Sequence, residues 1–442
     1  MNPTAGTFTI DSRLHRHFLT FAVSTPSNDT QELMFGSWLQ RHFGNPVQRF
    51  APNLLNLVPA LVVASMTLHQ RLCLIFQATA NKFLYGFNLR DLSALFKGLL
   101  LSTPETVQTS LSLVRLWAHE AHRVYGDRLN DDKDADMFKK ALVDTVKKCF
   151  DRQSASDQAL ESCCAALADV DEASVMRTPL LFCHFSRGLG DAKYGEAEGY
   201  TSLNGILHQA LAAYNELNPV MELVLFEDAI SHVCRINRIL ELPRGHALLV
   251  GVGGSGKQSL ARLAASVAGY DVTQLQIRPG YGIPELRTDL SALCLKAGLK
   301  KLPTVLLVTD AQLVDETLLG PIHDFLAAGE IPGLFNDDEI DNVVQAVRNE
   351  VKALGLMDSR DLCWRFFLEQ VRRHLHIILC CSPVGSTLRL RTQRFPALLA
   401  SMAIDCFLPW PHEALLSVSY KYLSNITVPV SDSLVIFLFY GY

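Results

Sequence analysis

Apolar residues recur at helical spacing from Leu54 to Gly98, with Asn88 placed as an N-cap before Leu89-Arg90-Asp91-Leu92 and Gly98 near the stop. Leu111–Arg128 continues that period, and Leu129–Asp136, rich in acid and amide groups, reads as a solvated connection. The chain up to residue 150 therefore predicts a small helical unit. From 151 to 200 the period weakens and turn signals crowd in, among them Arg187-Gly188-Leu189-Gly190-Asp191 and Tyr194-Gly195, so a linker is expected there. Helical spacing returns over Ile206–Leu217 and Leu223–Leu240. The period then changes. Short apolar runs at His246–Val250, Val272–Ile277, Thr304–Thr309 and Leu375–Cys380 alternate with longer helical stretches, the pattern of an α/β domain with a parallel sheet flanked by helices.

A weak internal similarity adds to this layout. Asn2-Pro3-Thr4-Ala5-Gly6 with Arg13, Arg16 and Phe18 is echoed by Ser382-Pro383-Val384-Gly385 with Arg389, Arg391, Arg394 and Phe395. As a repeat, it places residue 1 late inside one module, with a second module following.

Composition narrows the class. A chain of 442 residues that is 49% hydrophobic can fill two or three cores. Its 40 Lys and Arg against 45 Asp and Glu give a formal charge of −5 without long single-sign runs, so the basic footprint of a nucleic-acid partner is missing. The 11 cysteines form no Cys-x-x-Cys and include the adjacent pairs Cys163–Cys164 and Cys380–Cys381, which read as reduced, buried thiols. Residues 1–20 lack the apolar block of a secretory signal. Asn56 and Pro59 interrupt Leu54–Leu68, and Leu434–Tyr442 is too short to span a bilayer, so no membrane partner is expected.

The chemistry centres on Gly251-Val252-Gly253-Gly254-Ser255-Gly256-Lys257, which fits G-x-x-x-x-G-K between a strand and the helical run Ser259–Ala268. Glycines let successive N–H groups turn toward phosphates, the helix N-terminus adds a favourable dipole, and Lys257 reaches the β/γ-phosphates. The same residues satisfy G-x-G-x-x-G, with Asp271 downstream, but Asp271 precedes an apolar run where a ribose-binding acid ends one. That reading also leaves Lys257 unexplained. For hydrolysis a P-loop needs a hydroxyl on Mg²⁺ after the lysine, a strand-end Asp, and a group to position water. Here position 258 is Gln258, with Ser259 one residue late. Asp310 closes the strand Thr304–Thr309 as a metal-side candidate, but Ala311, whose methyl group cannot orient water, follows it, then Gln312. The expectation is binding of ATP or ADP, with Mg²⁺ as an accompanying ion, and little or no hydrolysis.

Ser382, after the strand Leu375–Cys381, stands where a γ-phosphate sensor sits, and Arg394 where an arginine finger projects to a neighbour's nucleotide. Other candidates read as structure. Asp315 and Glu316 read as a solvated helix start, Asn336–Asp341 as a charged helix start rather than a calcium loop, and His119-Glu120-Ala121-His122, without i,i+4 histidines, as a surface helix face. Asn425-Ile426-Thr427 matches a glycosylation acceptor without a secretory context.

Together, residues 251–260, Thr309-Asp310-Ala311-Gln312, Gly329-Glu330-Ile331-Pro332-Gly333-Leu334-Phe335 and Ser382-Pro383-Val384-Gly385 resemble the fourth AAA+ module of a dynein heavy chain, the axonemal type in particular. Asn2-Pro3-Thr4-Ala5-Gly6, Phe87–Leu92 and Leu113–Trp117 resemble the end of the third module and its helical lid. The resemblance covers residues 1–423 and implies a domain layout. Residues 1–30 are the remnant of the third module's large domain, 31–150 its lid, 151–200 a linker, 201–412 the fourth module's P-loop large domain, and 413–442 a truncated lid start and atypical tail.

It also implies residue roles: Asn2 and Arg90 as the third module's sensors, Arg16 and Arg394 as arginine fingers, Gly251, Gly253, Gly254, Ser255, Gly256, Lys257, Gln258, Ser259 and Ser382 as nucleotide contacts, and Asp310 on the metal side. The implied partners are the rest of the dynein ring and other dynein subunits, with the microtubule engaged only indirectly. The implied location is the cytoplasmic cytoskeleton of the ciliary axoneme. The third module's P-loop is expected before residue 1, and the rest of a lid and a stalk after Leu423, where the apolar Ser433–Tyr442 departs from the family. Two functions remain open at this point: a regulatory module of a ciliary motor, or a truncated isoform or mis-predicted product that acts only as a nucleotide-binding or interaction domain.

Overall fold

The computed structural model describes residues 11–150, 172–190, 192–313, 315–355 and 357–424. The Asn2 turn, Cys163–Cys164, Asp191, Asn425-Ile426-Thr427 and Ser433–Tyr442 lie outside these residues.

The first unit is helical: α1 Asn28–Phe43, α2 Val58–Ile75, α3 Leu89–Leu99, α4 Ser110–Tyr125 and α5 Asp132–Phe150. Its helix starts are set locally. Asn88 and Asp91 form the capping box of α3, as the sequence predicts, and Thr109 with Ser112 does the same for α4. The run from Leu54 to Gly98 is not one helix but breaks at a 3₁₀ turn, Phe83–Tyr85. Among the described residues α2 alone is long and apolar enough to cross a membrane, and half of it is buried inside the structure. Its Ser65 accepts a hydrogen bond of 2.9 Å from the indole of the fully buried Trp117.

Within the expected linker, residues 172–190 and 192–199 carry structure of their own. A short antiparallel pair, β1 Phe182–Cys183 and β2 Gly195–Glu196, carries the buried Leu181, Phe182, Cys183, Phe185 and Tyr194. Arg115 of α4 gathers this segment by donating to the carbonyls of Ser174 (2.6 Å) and Val175 (3.1 Å) and pairing with Glu196. Two-residue strands leave no readable period, which is why the sequence shows only their turns.

The second unit carries α6 Tyr200–Leu217, α7 Glu227–Glu241, β3 Ala247–Val250, α8 Lys257–Val267, β4 Asp271–Gln274, α9 Ile283–Gly298 and β5 Thr304–Thr309. It continues with α10 Leu319–Ala328, α11 Asp337–Ala353, α12 Arg360–His374, β6 Leu375–Cys381, α13 Thr387–Arg394, β7 Ala403–Cys406 and α14 His412–Leu423. The five strands β3 to β7 form a parallel sheet in the order β4-β5-β6-β3-β7. Alternate residues face opposite sides. Leu248, Leu306 and Ile377 enter one core, and Leu249, Leu307 and Ile378 the other, so each strand reads as nearly unbroken apolar sequence. β4 starts one residue before the expected Val272 and stops at Gln274, because Asp271 aligns with Thr304 in the ladder. Asn336 and Glu339 cap α11, which makes the acidic run at 336–341 a helix start.

The two units meet through α4, which corrects the expectation of a surface face at His119-Glu120. Both side chains are buried, Glu120 at 0% exposure. Glu120 Oε1 accepts from the Tyr194 hydroxyl and from Arg238 Nε (3.0 Å), and Oε2 accepts from the Arg238 Nη2 group of α7. Gly98 is required there, since a Cβ would stand 1.7 Å from Glu120 Oε2.

Candidate nucleotide site

The P-loop leaves the C-terminal end of β3 and turns into α8. Gly254 and Gly256 hold φ of +81° and +86°, the left-handed region that favours glycine. A Cβ on Gly251 would lie 2.7 Å from Phe407 Cβ, so glycine is fixed there by a close approach. Lys257 opens α8 and points its ammonium back into the loop, donating to Gly251 O (2.7 Å), Val252 O (2.7 Å) and Ser255 Oγ (3.1 Å). Burial lowers its pKa from the ordinary value. The loop thus joins a cation, a helix N-terminus and bare backbone, which suits a polyphosphate. Gln258 is exposed and Ser259 half-buried in the first turn of α8, and Gly253 has no neighbour within 4 Å of an added Cβ.

The ends of the adjacent strands β5 and β6, with β6 beside β3, bring the other candidates together in the crevice where open α/β sheets bind ligands. Asp310 follows β5 and Ser382 follows β6, and the Ser382 N–H donates to Asp310 Oδ2 at 2.6 Å. Arg391 of α13, which the sequence singled out only as part of a repeat, donates to Asp310 Oδ1 at 2.6 Å. Both carboxylate oxygens are therefore engaged within the protein. Ala311 is exposed. The Gln312 side chain accepts from the Thr309 N–H (2.9 Å) and donates to Leu275 O (2.7 Å), which commits it to the backbone.

Among the described residues no group of three or more His, Cys, Asp or Glu could hold a metal. The donor set fits a nucleotide's phosphates well and Mg²⁺ poorly: one carboxylate, already paired, and an amide where a hydroxyl is needed. Arg394, one turn beyond Arg391, is exposed and ion-paired with Glu316. Asp315 caps the turn that holds Glu316, accepting from Thr317 N–H at 2.9 Å. Arg16 and Arg90 are exposed.

Beside Ser255 of the loop opens a small pocket of about 100 Å³ whose walls include Phe226, His232, Arg235, Phe407 and Trp410. Phe226 and Trp410 meet edge to face at 5.5 Å, and the His232 ring stacks on Phe407 at 3.8 Å with planes 5° apart. Flat apolar walls next to a phosphate cradle suit a nucleobase. Sequence reading missed this pocket, because apart from Ser255 and Leu260 its residues come from positions 226–235 and 406–410, which carry no motif.

Comparison with known families settles the ancestry. Residues 221–437 match the model described as P-loop containing dynein motor region D4, and residues 61–159 match an AAA+ lid domain. The ciliary dynein beta chain of Tripneustes gratilla is 50% identical over 432 residues, 98% of this chain and 9% of that protein. The chain belongs to the axonemal dynein heavy chains. Human dynein axonemal heavy chain 17 is 49% identical over 425 residues, 96% of this chain and 9% of its own length. The flagellar outer-arm dynein alpha chain of Chlamydomonas reinhardtii is 42% identical over 447 residues, 100% of this chain and 10% of its own length. The chain thus spans about a tenth of these dyneins. The D4 match runs to 437, beyond Leu423, where the resemblance was expected to stop.

Proposed function

We propose that the chain forms part of a dynein motor ring in which residues 201–412 are a regulatory fourth module that binds ATP or ADP and hydrolyses it weakly, within a microtubule-based motor of the ciliary axoneme. In this reading residues 1–30 and 31–150 end the third module, 151–200 link it to the fourth, and 413–442 are a truncated start of the fourth module's lid with an atypical tail. The observation that carries it is the pairing of an intact phosphate cradle around Lys257 with an Asp310 whose two oxygens are held by Arg391 and Ser382. Binding geometry is kept while the hydrolytic set is broken at Gln258 and Ala311.

In the same reading Lys257 and the N-terminus of α8 bind the phosphates, the pocket at Phe226 and Trp410 takes the base, and Ser382 senses the terminal phosphate. Arg394, exposed on α13, reaches back to the third module's nucleotide. The remaining ring and other dynein subunits are the direct partners, and the microtubule is engaged only through them.

Equilibrium binding and phosphate release on the full chain test the proposal. ATP and ADP should bind, Lys257→Ala should abolish binding, and turnover should stay far below about one per second, the low end of ordinary enzymes. Turnover at or above that rate refutes weak hydrolysis, and unchanged binding in Lys257→Ala refutes the site.

A further inference from the structure

A chain of charged side chains leads from the helical unit to the base pocket. Asp127 lies in the 3₁₀ turn Gly126–Arg128 that ends α4, and its Oδ1 is 3.2 Å from Arg123 Nη2 and 3.4 Å from Arg235 Nε of α7. Arg235 Nη1 donates to Asp405 Oδ1 on β7 at 2.9 Å. Asp405 Oδ2 accepts from His232 Nδ1 at 2.7 Å, and His232 is the ring stacked on Phe407. Arg235, His232 and Phe407 all line the pocket beside the P-loop.

Asp127 is 7% exposed and Asp405 1%, so these charges act in a medium that screens them little. Burial pushes the Asp127 carboxyl up, but Arg123 and Arg235, with His122, outweigh it and hold the group below the usual carboxylate range. A second tie fixes the same turn to β7, where the Cys406 thiol donates to Arg128 O at 3.6 Å. Asp127 thus pairs with two guanidinium groups, and the second, Arg235, is held between a carboxylate from each unit.

We infer that Asp127, a residue of the helical unit, is a positioning residue for the nucleobase pocket of the neighbouring P-loop domain: it orients Arg235, which sets Asp405 and through it the His232–Phe407 wall. Base binding and the attachment of the helical unit are then linked, each strengthening the other by the same factor. The inference rests on the nucleotide reading above. It differs in acting on the base and not on the phosphates, which makes the two separable.

The test compares ATP with inorganic tripolyphosphate, which meets the P-loop but has no base, on the full chain. Asp127→Asn should weaken ATP and ADP about tenfold, a coupling of ordinary size, and leave tripolyphosphate within about twofold. Equal weakening of both ligands, or ATP affinity within about twofold of the parent, overturns the inference. A second measurement needs no variant. Hydrogen exchange of amides 122–128 should slow on adding ATP and stay unchanged with tripolyphosphate, and equal protection by both ligands overturns the inference as well. Lys257→Ala separates the two readings: it should lose both ligands, and if it binds both as the parent does, the nucleotide reading falls and the inference falls with it.

Discussion

Replacing Glu120 by glutamine keeps the shape of a side chain at 0% exposure and removes its charge. Arg238, 5% exposed, then stays buried beside a neutral amide, and the amide nitrogen faces donors from Arg238 and Tyr194 where the carboxylate accepted from both. The buried guanidinium does not escape that cost by losing its proton, because arginine keeps its charge in proteins. Breaking one partner of a buried pair costs about 3–5 kcal/mol. Against a folding free energy of about 5–15 kcal/mol this is a large share. Urea unfolding of the full chain, followed by tryptophan fluorescence and circular dichroism, reads the loss. The double variant Glu120→Leu/Arg238→Met should recover most of it, since apolar replacements of a buried pair are often neutral or stabilising. A loss below about 1 kcal/mol in Glu120→Gln, or strict additivity in the Glu120/Arg238 cycle, would refute the role given to this pair.

Arg391→Ala should free Asp310 Oδ1, and removing a charge-assisted bond worth about 1.5–3 kcal/mol should raise the Mg²⁺ sensitivity of ATP affinity about tenfold or more, with phosphate release still low because Ala311 is unchanged. Titrating ATP affinity against Mg²⁺ in parent and variant checks this, and identical curves would count against it. Stability should fall as pH drops below about 6.5. Burial, helped by Arg238, holds His184 neutral down to about 4, and burial, with His376 and Arg244, holds His246 neutral down to about 3, while the unfolded chain takes up both protons. Each group contributes up to about 1.4 kcal/mol per pH unit within its window. His246→Gln should flatten the slope between about pH 6 and 4, as measured by urea midpoints, and an unchanged slope would refute the assignment.

The parts legible in sequence are those written in neighbouring residues. The P-loop, the strands β3, β5 and β6, and the caps at Asn88 and Asn336 each depend on side chains within a few positions. Pairings across the chain were not legible. Glu120 meets Arg238 at a separation of 118 residues and His232 meets Asp405 at 173, and nothing local marks either. Helix α4 misled for a specific reason. It is packed by its own bundle on one side and by α7 and the β1–β2 segment on the other, so residues from Leu113 through Ala121 are all buried and the polar ones imitate a wet face. Asp310 was found as a strand-end acid, but its partner Arg391 sits 81 residues away and carries no motif of its own.

The apolar core drawn from Phe35 to Phe150 in the helical unit is continuous with the one made by Leu248, Leu306 and Ile377 on one face of the sheet. The lid match ends at 159 and the D4 match begins at 221, so the border that ancestry draws falls where the packing has none. Counting pieces by descent and counting them by what must be pulled apart to expose hydrocarbon give different answers for this chain. Its period as a gene and its period as a solid are out of step, and a saw cut placed at the inherited seam would go through the timber.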